Sequence, residues 1–209
     1  MPKEQNIPDS TAQEILHGAS ELFMRYGVKS ITMDEIARHL SMSKKTIYQH
    51  FADKDELVNT FARESMEKQQ CQILVMEKSC SNIMEAIMKL SEFLRSTVCN
   101  INPGLLFDLK KYFPKAWKVF QEHKKKFLKE HIIRTLRTGI EQGYFRKDLN
   151  LEVMARLRIE QIEMAFNPEI FPESEFNIKE VHMQLFQHFM LGICTLDGYE
   201  EFNKILKNN

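Results

Sequence analysis

The segment Lys44–His50, with the sequence KKTIYQH, carries several side chains that can bind the edges of DNA bases. A lysine can donate to guanine O6 and N7, a glutamine can pair with adenine, and the methyl of a threonine can contact the methyl of thymine. The residues with this chemistry are Lys44, Lys45, Thr46 and Gln49. The plain alternative is a solvated helix face, but the elements around the segment favour base contacts.

A second group of residues suits contacts with DNA phosphates: Thr32, Tyr48, His50 and Lys54. They offer short donors and one cation close to predicted helix N-termini, where backbone N–H groups also point outward. Two of them have structural alternatives, because His50 could pack at a helix end and Tyr48 could be buried in the core.

The pattern over residues 30–57 predicts two short helices joined by a tight turn, followed by the start of a third helix. Thr32 suits the N-cap of the first helix, and Glu35, three residues later, completes a capping box. Residues 41–43 interrupt the helical pattern, and Ser43 can cap the second helix. This arrangement is typical of a helix-turn-helix whose second helix enters the major groove.

Residues 12–57 resemble the DNA-binding domain of the TetR family of bacterial transcriptional regulators. The matching segments are LFMRYG at 22–27, SITMDEIA at 30–37, SKKTIYQHF at 43–51 and DKDEL at 53–57. Further along the chain, only GIEQGYFRKDL at 139–149 has a familiar look. Ser41 departs from the family pattern, which has glycine in this turn, where a positive φ costs glycine less than it costs serine.

The resemblance implies an all-α fold with a three-helix DNA-binding domain at residues 1–52. A helical domain for ligand binding and dimerisation would follow at residues 53–209. It also implies a ligand-responsive repressor that binds a palindromic operator as a homodimer, with activation as the less common outcome. Phosphate contacts fall at the positions of Thr32, Tyr48, His50 and Lys54. Dimerisation would use the last two long helices, about residues 151–166 and 178–196, with apolar faces from Val153, Leu157, Ile162, Leu185, Phe186, Phe189 and Ile193.

The composition of the 209-residue chain favours helices, because it contains only 7 Gly and 6 Pro while helix-forming residues are abundant. No apolar run is long enough to predict a membrane span, and the polar N-terminal segment lacks the apolar core of a signal peptide. We therefore expect a cytoplasmic protein without a membrane partner. The formal net charge is zero, and positive charge collects at Arg38, Lys44, Lys45 and Lys54, which favours an oriented docking surface over sequence-blind coating of DNA.

An aromatic-rich region follows in the second predicted domain, and Phe93, Phe107, Trp117 and Phe120 are candidates for lining a ligand pocket there. The alternative is that most of these residues simply fill the core. A basic run at residues 110–129 is either a solvated helix face or an anion-attracting entrance to a cavity. If a pocket exists, its aromatic lining favours a small apolar or weakly acidic effector.

The sequence offers little support for catalysis, since it has no Gly-rich phosphate loop, paired-carboxylate site or Ser-His-Asp context. His182 and His188 lie on roughly opposite sides of a predicted helix, and His123 and His131 are two turns apart, so neither pair suits a metal ion. We predict no enzyme activity, no metal and no cofactor. Two rival interpretations are a DNA-binding protein without a small-molecule ligand, and an enzyme or helical interaction module with a coincidental helix-turn-helix.

Overall fold

A computed structural model describes residues 10–98, 102, 104–172 and 174–208 of the chain. Its helices are α1 (Ser10–Tyr26), α2 (Met33–His39), α3 (Lys44–His50), α4 (Lys54–Lys78), α5 (Ile83–Val98), α6 (Leu105–Tyr112), α7 (Pro114–His123), α8 (Lys129–Glu141), α9 (Leu151–Met164), α10 (Ile178–Ile193) and α11 (Leu196–Asn208). Within these ranges the only extended pairing is an isolated bridge between Phe145 and Cys194. The predicted all-α fold is confirmed.

The described chain divides into two compact units, of which the first comprises residues 10–66, 102 and 104–120. Its core is built on the apolar side of α1, where Ile15, Ala19 and Phe23 are fully buried. The ring of Phe23 meets that of Phe61 edge to face, with centroids 5.4 Å apart. Residues of α6 also join this core, so the helix-turn-helix is stabilised partly by a segment distant in sequence.

The first unit extends beyond the predicted domain boundary at residue 52. Leu57, Val58 and Phe61, at the beginning of α4, are buried in the same core as α1. Burying these side chains in one cluster stabilises the beginning of α4 together with the helix-turn-helix. The functional division into residues 1–52 and 53–209 stays a prediction.

The second unit comprises residues 67–98, 121–172 and 174–208. Its core gathers buried side chains from α5, α8, α10 and α11, including Met84, Leu136 and Phe202. Gly139 on α8 is required for this packing, because a Cβ atom there would lie 2.1 Å from the ring of Phe145. A larger residue at position 139 would force Phe145 out of the core.

Two helices differ from the sequence prediction. Helical periodicity predicts one long helix from residue 114 to about 142, whereas the structure contains a π-helical turn at Lys124–Leu128. At this turn Lys124 forms ion pairs with Glu163 at 2.7 Å and Glu160 at 2.9 Å. These partners lie 36 or more residues away, so no local pattern could indicate them. The sequence pattern also predicts a short last helix at about residues 199–206, but α10 ends at Ile193 and α11 already begins at Leu196.

The proposed dimerisation faces are only partly available on the surface. Phe186, Phe189 and Ile193 are buried in the core of the second unit, so the interpretation of these three as an apolar face for a partner is wrong. The physical reason is that α10 turns this side toward α5 and the rest of its own unit. Val153 and Leu157 on α9 are exposed, at 52% and 42%.

None of the described helices is both long and apolar enough to cross a bilayer.

Candidate nucleic-acid interface

The N-terminus of α2 carries the capping box that the sequence predicts. The backbone N–H of Glu35 donates to Thr32 Oγ1 at 3.2 Å, and the backbone N–H of Thr32 donates to Glu35 Oε2 at 2.7 Å. The Thr32 hydroxyl itself donates to the same carboxylate oxygen at 2.8 Å. These hydrogen bonds, the backbone one first, lower the pKa of Glu35. Thr32 is exposed, so its side chain both caps α2 and lies at the surface.

The turn between α2 and α3 has the conformation that the sequence indicates. Ser41 adopts a φ of +56°, the left-handed region that favours glycine. The backbone N–H of Met42 donates to the carbonyl of Ala37 at 2.9 Å, which closes the end of α2. Leu40 packs so closely on α1 that a Cβ atom at Gly18 would lie 2.5 Å from its Cδ2. The turn is therefore held by α1 as well as by its own hydrogen bonds.

Helix α3 presents one buried side and one exposed side. Ser43 caps it by accepting from the backbone N–H of Thr46 at 3.1 Å. Ile47 is fully buried and Phe51 is 6% exposed, as the sequence predicts. The exposed residues on α3 are Lys44, Lys45, Tyr48 and Gln49. This pattern fixes the helix on the unit while its polar side chains stay accessible to a partner.

Three of the predicted DNA-binding residues on α3 have distinct surroundings. Tyr48 is 49% exposed, so the alternative of a tyrosine buried for packing is wrong. Thr46 is half-buried, and its hydroxyl lies 2.8 Å from that of Ser43. His50 is half-buried in the last turn of the helix. Tyr48 is therefore the most accessible of the three.

The two lysines at the start of α3 differ in whether an acidic side chain pairs with them. Lys44 forms an ion pair with Asp34 of α2 at 2.5 Å. Lys45 has no ion pair with any described residue and its side chain is exposed. Part of the charge of Lys44 is consequently neutralised inside the motif, whereas the ammonium of Lys45 stays available.

Lys54, at the start of α4, is more engaged with the protein than the sequence suggests. Its Nζ donates to the carbonyl of Lys29 at 3.3 Å and lies 5.4 Å from the centroid of the Phe113 ring. Partial burial lowers the pKa of Lys54, with Asp108 as the leading opposing influence. A phosphate contact by Lys54 stays a prediction, and it would replace the hydrogen bond to the Lys29 carbonyl.

Beside Lys54 the structure brings together residues that sequence reasoning missed. The Nζ of Lys29 donates to the hydroxyl of Tyr112 at 3.0 Å, and its backbone N–H donates to Asp108 Oδ2 at 2.8 Å. Lys111 lies 5.4 Å from the centre of the same Tyr112 ring. The hydrogen bond to Tyr112 is the main cause that raises the pKa of Lys29. Because about 80 residues separate Lys29 from Tyr112, only the tertiary fold shows that Lys29 and Lys111 both contact this tyrosine.

The four aromatic residues predicted to line a pocket do not gather at one described site. Trp117 and Phe120 stack with centroids 5.1 Å apart on α7 in the first unit, where Trp117 packs against the core. Phe107 is 49% exposed on α6, with Lys111 Nζ 5.3 Å from its ring centre. Phe93 is half-buried on α5 in the second unit. A ligand contact by these four stays a prediction.

The second unit contains a small cleft of about 290 Å³, part of it open to solvent, between α4, α5 and α8. Its apolar wall consists of Ile73, Met76, Ile83, Ala86, Ile87 and Leu90. Its polar side holds Glu77, His131 and Thr135. Arg134 links the first two, with Nη2 3.2 Å from Glu77 Oε2 and 3.1 Å from His131 Nδ1. Burial lowers the pKa of His131, and none of the four predicted aromatic residues lines this cleft.

Comparison with known proteins identifies the same segment of the chain as a DNA-binding region. The family model described as bacterial regulatory proteins, tetR family, matches residues 15–60, which contain α2, the turn and α3. The HTH-type transcriptional regulator YvaF of Bacillus subtilis is 28% identical over 169 residues, which cover 79% of this chain and 87% of that protein. The HTH-type transcriptional repressor KstR2 of Mycobacterium tuberculosis is 22% identical over 151 residues, which cover 71% and 76% of the two chains.

The fold is also that of solved regulators. A transcriptional regulator from Saccharomonospora viridis, solved in complex with choline, superposes with a TM-score of 0.72 at 20% identity. The match covers 89% of this chain and 98% of that one. The capped helix-turn-helix, the family match over it and the shared fold lead to one assignment. Residues 15–60 match the tetR family of bacterial regulatory proteins, and the chain is a DNA-binding transcriptional regulator.

Proposed function

We propose that the chain is a transcriptional repressor that acts in the bacterial cytoplasm. It binds an inverted-repeat operator as a homodimer and is released by a small apolar or weakly acidic effector. The observation that carries the proposal is α3, which exposes Lys45, Tyr48 and Gln49 while Ile47 anchors it to the core. The relative KstR2 is named a transcriptional repressor, and this name supports repression rather than activation.

In this proposal some residues of the helix-turn-helix contact DNA bases and others contact phosphates. Lys45 and Gln49 read base edges, assisted by Lys44 and Thr46 at the start of α3. A good bidentate contact of this kind contributes about 1–3 kcal/mol of discrimination against a wrong base. The phosphate contacts come from Thr32, Tyr48, His50 and Lys54, which position the helix without reading sequence.

Dimerisation is supported by apolar side chains that α9 and α10 leave at the surface. Val153 and Leu157 stand one turn apart on α9, and Leu191 on α10 is 53% exposed. Exposed apolar side chains on neighbouring helices mark a surface that a protein partner can bury. A two-fold dimer presents the same α3 to each half-site, so the operator must be an inverted repeat.

Effector control is supported by the choline complex of the regulator with the same fold. Helix α4 begins in the first unit and ends in the second. A ligand that prefers one arrangement of the second unit would act on the spacing of the two α3 helices through this shared helix. The effector then shifts a two-state equilibrium away from the DNA-binding state.

The proposal is tested by selecting duplexes from a random-sequence library with the purified full chain. The expected product is an inverted repeat with half-site centres about 34 Å apart or slightly more. The selection is repeated with Gln49→Ala on α3 and with the control Glu201→Ala on α11. Comparing the two shows whether the selected sequence depends on α3. A single asymmetric site, or the same site selected equally by the Gln49 variant, would contradict the proposed mode of binding.

A further inference from the structure

The second unit contains a buried cation that has no acidic partner among the residues the structure describes. Arg158 on α9 is only 9% exposed, and its Nη1 has no hydrogen-bond partner. No carboxylate forms an ion pair with it in the part of the chain that the structure describes. Transferring a charge from water into a protein interior costs several kcal/mol unless an opposite charge or hydrogen bonds compensate it. Arg158 is therefore in a position that would gain from an anion.

The guanidinium of Arg158 lies close to two aromatic rings. Its Cζ lies 5.3 Å from the ring centre of Phe186 and 5.7 Å from that of Phe189. A cation above an aromatic ring is stabilised by the ring's negative face, most strongly when the cation is desolvated. The rings nevertheless accept no ordinary hydrogen bonds, and a guanidinium has five N–H donors. The aromatic contacts thus stabilise the charge only in part.

Two further polar side chains between the same helices also have unpartnered atoms. Gln161 stands one turn after Arg158 on α9, is 6% exposed, and its Oε1 has no partner. His182 stands one turn before Phe186 on α10, is 7% exposed, and its Nε2 has no partner. Burial, followed by the charge of Arg158, lowers the pKa of His182 to about 4, so the imidazole is neutral at pH 7. The group as a whole therefore carries one positive charge.

The direction of Arg158 excludes a partner subunit on the outer face of α10 as the source of the anion. Arg158 reaches Phe186 and Phe189, which are buried in the core of their own unit. The opposite face of α10 carries Gln184, His188 and Leu191, which are exposed. Residues separated by about half a helical turn cannot meet the same surface. A partner on that outer face therefore does not supply the counter-ion for Arg158.

We propose that Arg158, Gln161 and His182 form the recognition site for the carboxylate of an organic acid, with Arg158 as the bidentate ligand. The proposal rests on the proposed function, since it names the chemical class of the effector. A monoanion matches the single charge, whereas a phosphate dianion would leave excess negative charge buried. The apolar body of the acid would lie against the rings of Phe166, Phe186 and Phe189, since Phe166 already contacts His182 edge to face at 4.9 Å.

The test is thermal unfolding of the full chain with octanoate, decanoate, phenylacetate and indole-3-acetate, each compared with its primary amide. We expect at least one acid to raise the Tm while its amide does not, because binding to the folded state stabilises it. In Arg158→Met the shift should disappear, and the Kd for that acid should rise at least about thirtyfold. Arg156→Met is the matched control, since Arg156 lies on the same helix with its side chain 74% exposed.

The ligand-free protein supplies an independent readout. Replacing an unpaired buried cation with an apolar side chain of similar length should raise the Tm of Arg158→Met without any acid. Arg158→Lys keeps the charge but loses the fork of donors, so it should bind the acid more weakly than the wild type. The proposal is overturned if no acid shifts the wild type, if acid and amide act alike, if the shift persists in Arg158→Met, or if that variant is less stable than the wild type.

The outcome is separable from that of the DNA selection. Arg158→Met should still select the operator, because no DNA contact is assigned to the second unit. Loss of acid binding with intact operator selection locates the effect at Arg158. Failure of the wild type to select any DNA would remove the proposed function while an Arg158-dependent acid shift still stood.

Discussion

Asp34 on α2 and Lys44 on α3 join the two helices of the DNA-binding motif through an ion pair of 2.5 Å. Both side chains are about half exposed, so the pair contributes less than about 1 kcal/mol to stability. Its larger effect is on charge, because the carboxylate lies beside a lysine that is proposed to meet DNA. We therefore expect the acidic partner to weaken non-specific DNA binding by α3.

Asp34→Asn should strengthen binding to unrelated duplexes several-fold and make the affinity fall more steeply with salt. Freeing Lys44 adds a cation that can release counter-ions from DNA. Fluorescence anisotropy between 50 and 300 mM salt measures both quantities. Asp55→Asn, another exposed carboxylate exchange in the first unit, is the control, and an equal gain in both variants would show that only net charge matters.

Ser41→Gly should stabilise the protein by about 0.5 kcal/mol. The φ of +56° is unfavourable for serine, and glycine removes this cost although it also makes the unfolded chain more flexible. Urea unfolding measures the change. Ser43→Ala, two residues away, should act in the opposite direction by about 1 kcal/mol, because it removes the cap of α3. Destabilisation by Ser41→Gly would show that the serine has a contact that outweighs its backbone strain.

Lys45 and Lys54 should respond differently to removal of their charge. Lys45→Ala should relax the preference at one position of each half-site, at a cost of about 1–3 kcal/mol for the preferred base. Lys54→Met, which keeps an unbranched stem beside Phe113, should weaken all duplexes alike and lower the salt slope by about one unit per half-site. Equal losses that ignore sequence in both variants would exclude a base contact by Lys45.

The stability of the second unit should fall as the pH is lowered from about 6.5 toward 4. The pKa of His182 is lowered to about 4 by burial and by Arg158, so the unfolded chain binds the proton first and gains free energy over that range. The loss should be about 1–3 kcal/mol, and His182→Gln should reduce it. Urea titrations at pH 7.5, 5.5 and 4.5 test this, with His188→Gln on the exposed side of α10 as the control. A pH dependence unchanged by His182→Gln would refute it.

Leu157→Asp should shift the protein toward monomers, because it places a charge on the exposed apolar side of α9. Sedimentation velocity measures the mass, and operator binding should weaken in parallel because two linked α3 helices bind an inverted repeat more tightly than one. Glu160→Asp, an exposed position on the same helix, should leave the mass unchanged. A Leu157→Asp protein that stays dimeric would place the interface elsewhere.

The sequence by itself determined the features that depend on residues within one helical turn of each other. The capping box of Thr32 and Glu35, the cap at Ser43 and the bounds of α3 were all predicted correctly. Each results from hydrogen bonds between neighbours three or four positions apart, so residue type and spacing are sufficient to reveal it. The same local pattern carries the resemblance to the family, and the family match covers it.

Tertiary structure alone decided what each exposed or buried side chain meets. Helical periodicity marks Phe186 and Phe189 as apolar, yet only the packing of α10 shows that they face their own core rather than a partner. In the same way, only the fold shows that Asp34 neutralises part of the charge of Lys44 and that Lys29 contacts Tyr112 across more than 80 residues of chain. In the sequence Arg158 looks like an ordinary surface arginine, and only the fold shows that it is buried between α9 and α10. The physical reason is that burial and charge pairing depend on groups brought together from distant parts of the chain, which a local pattern does not contain.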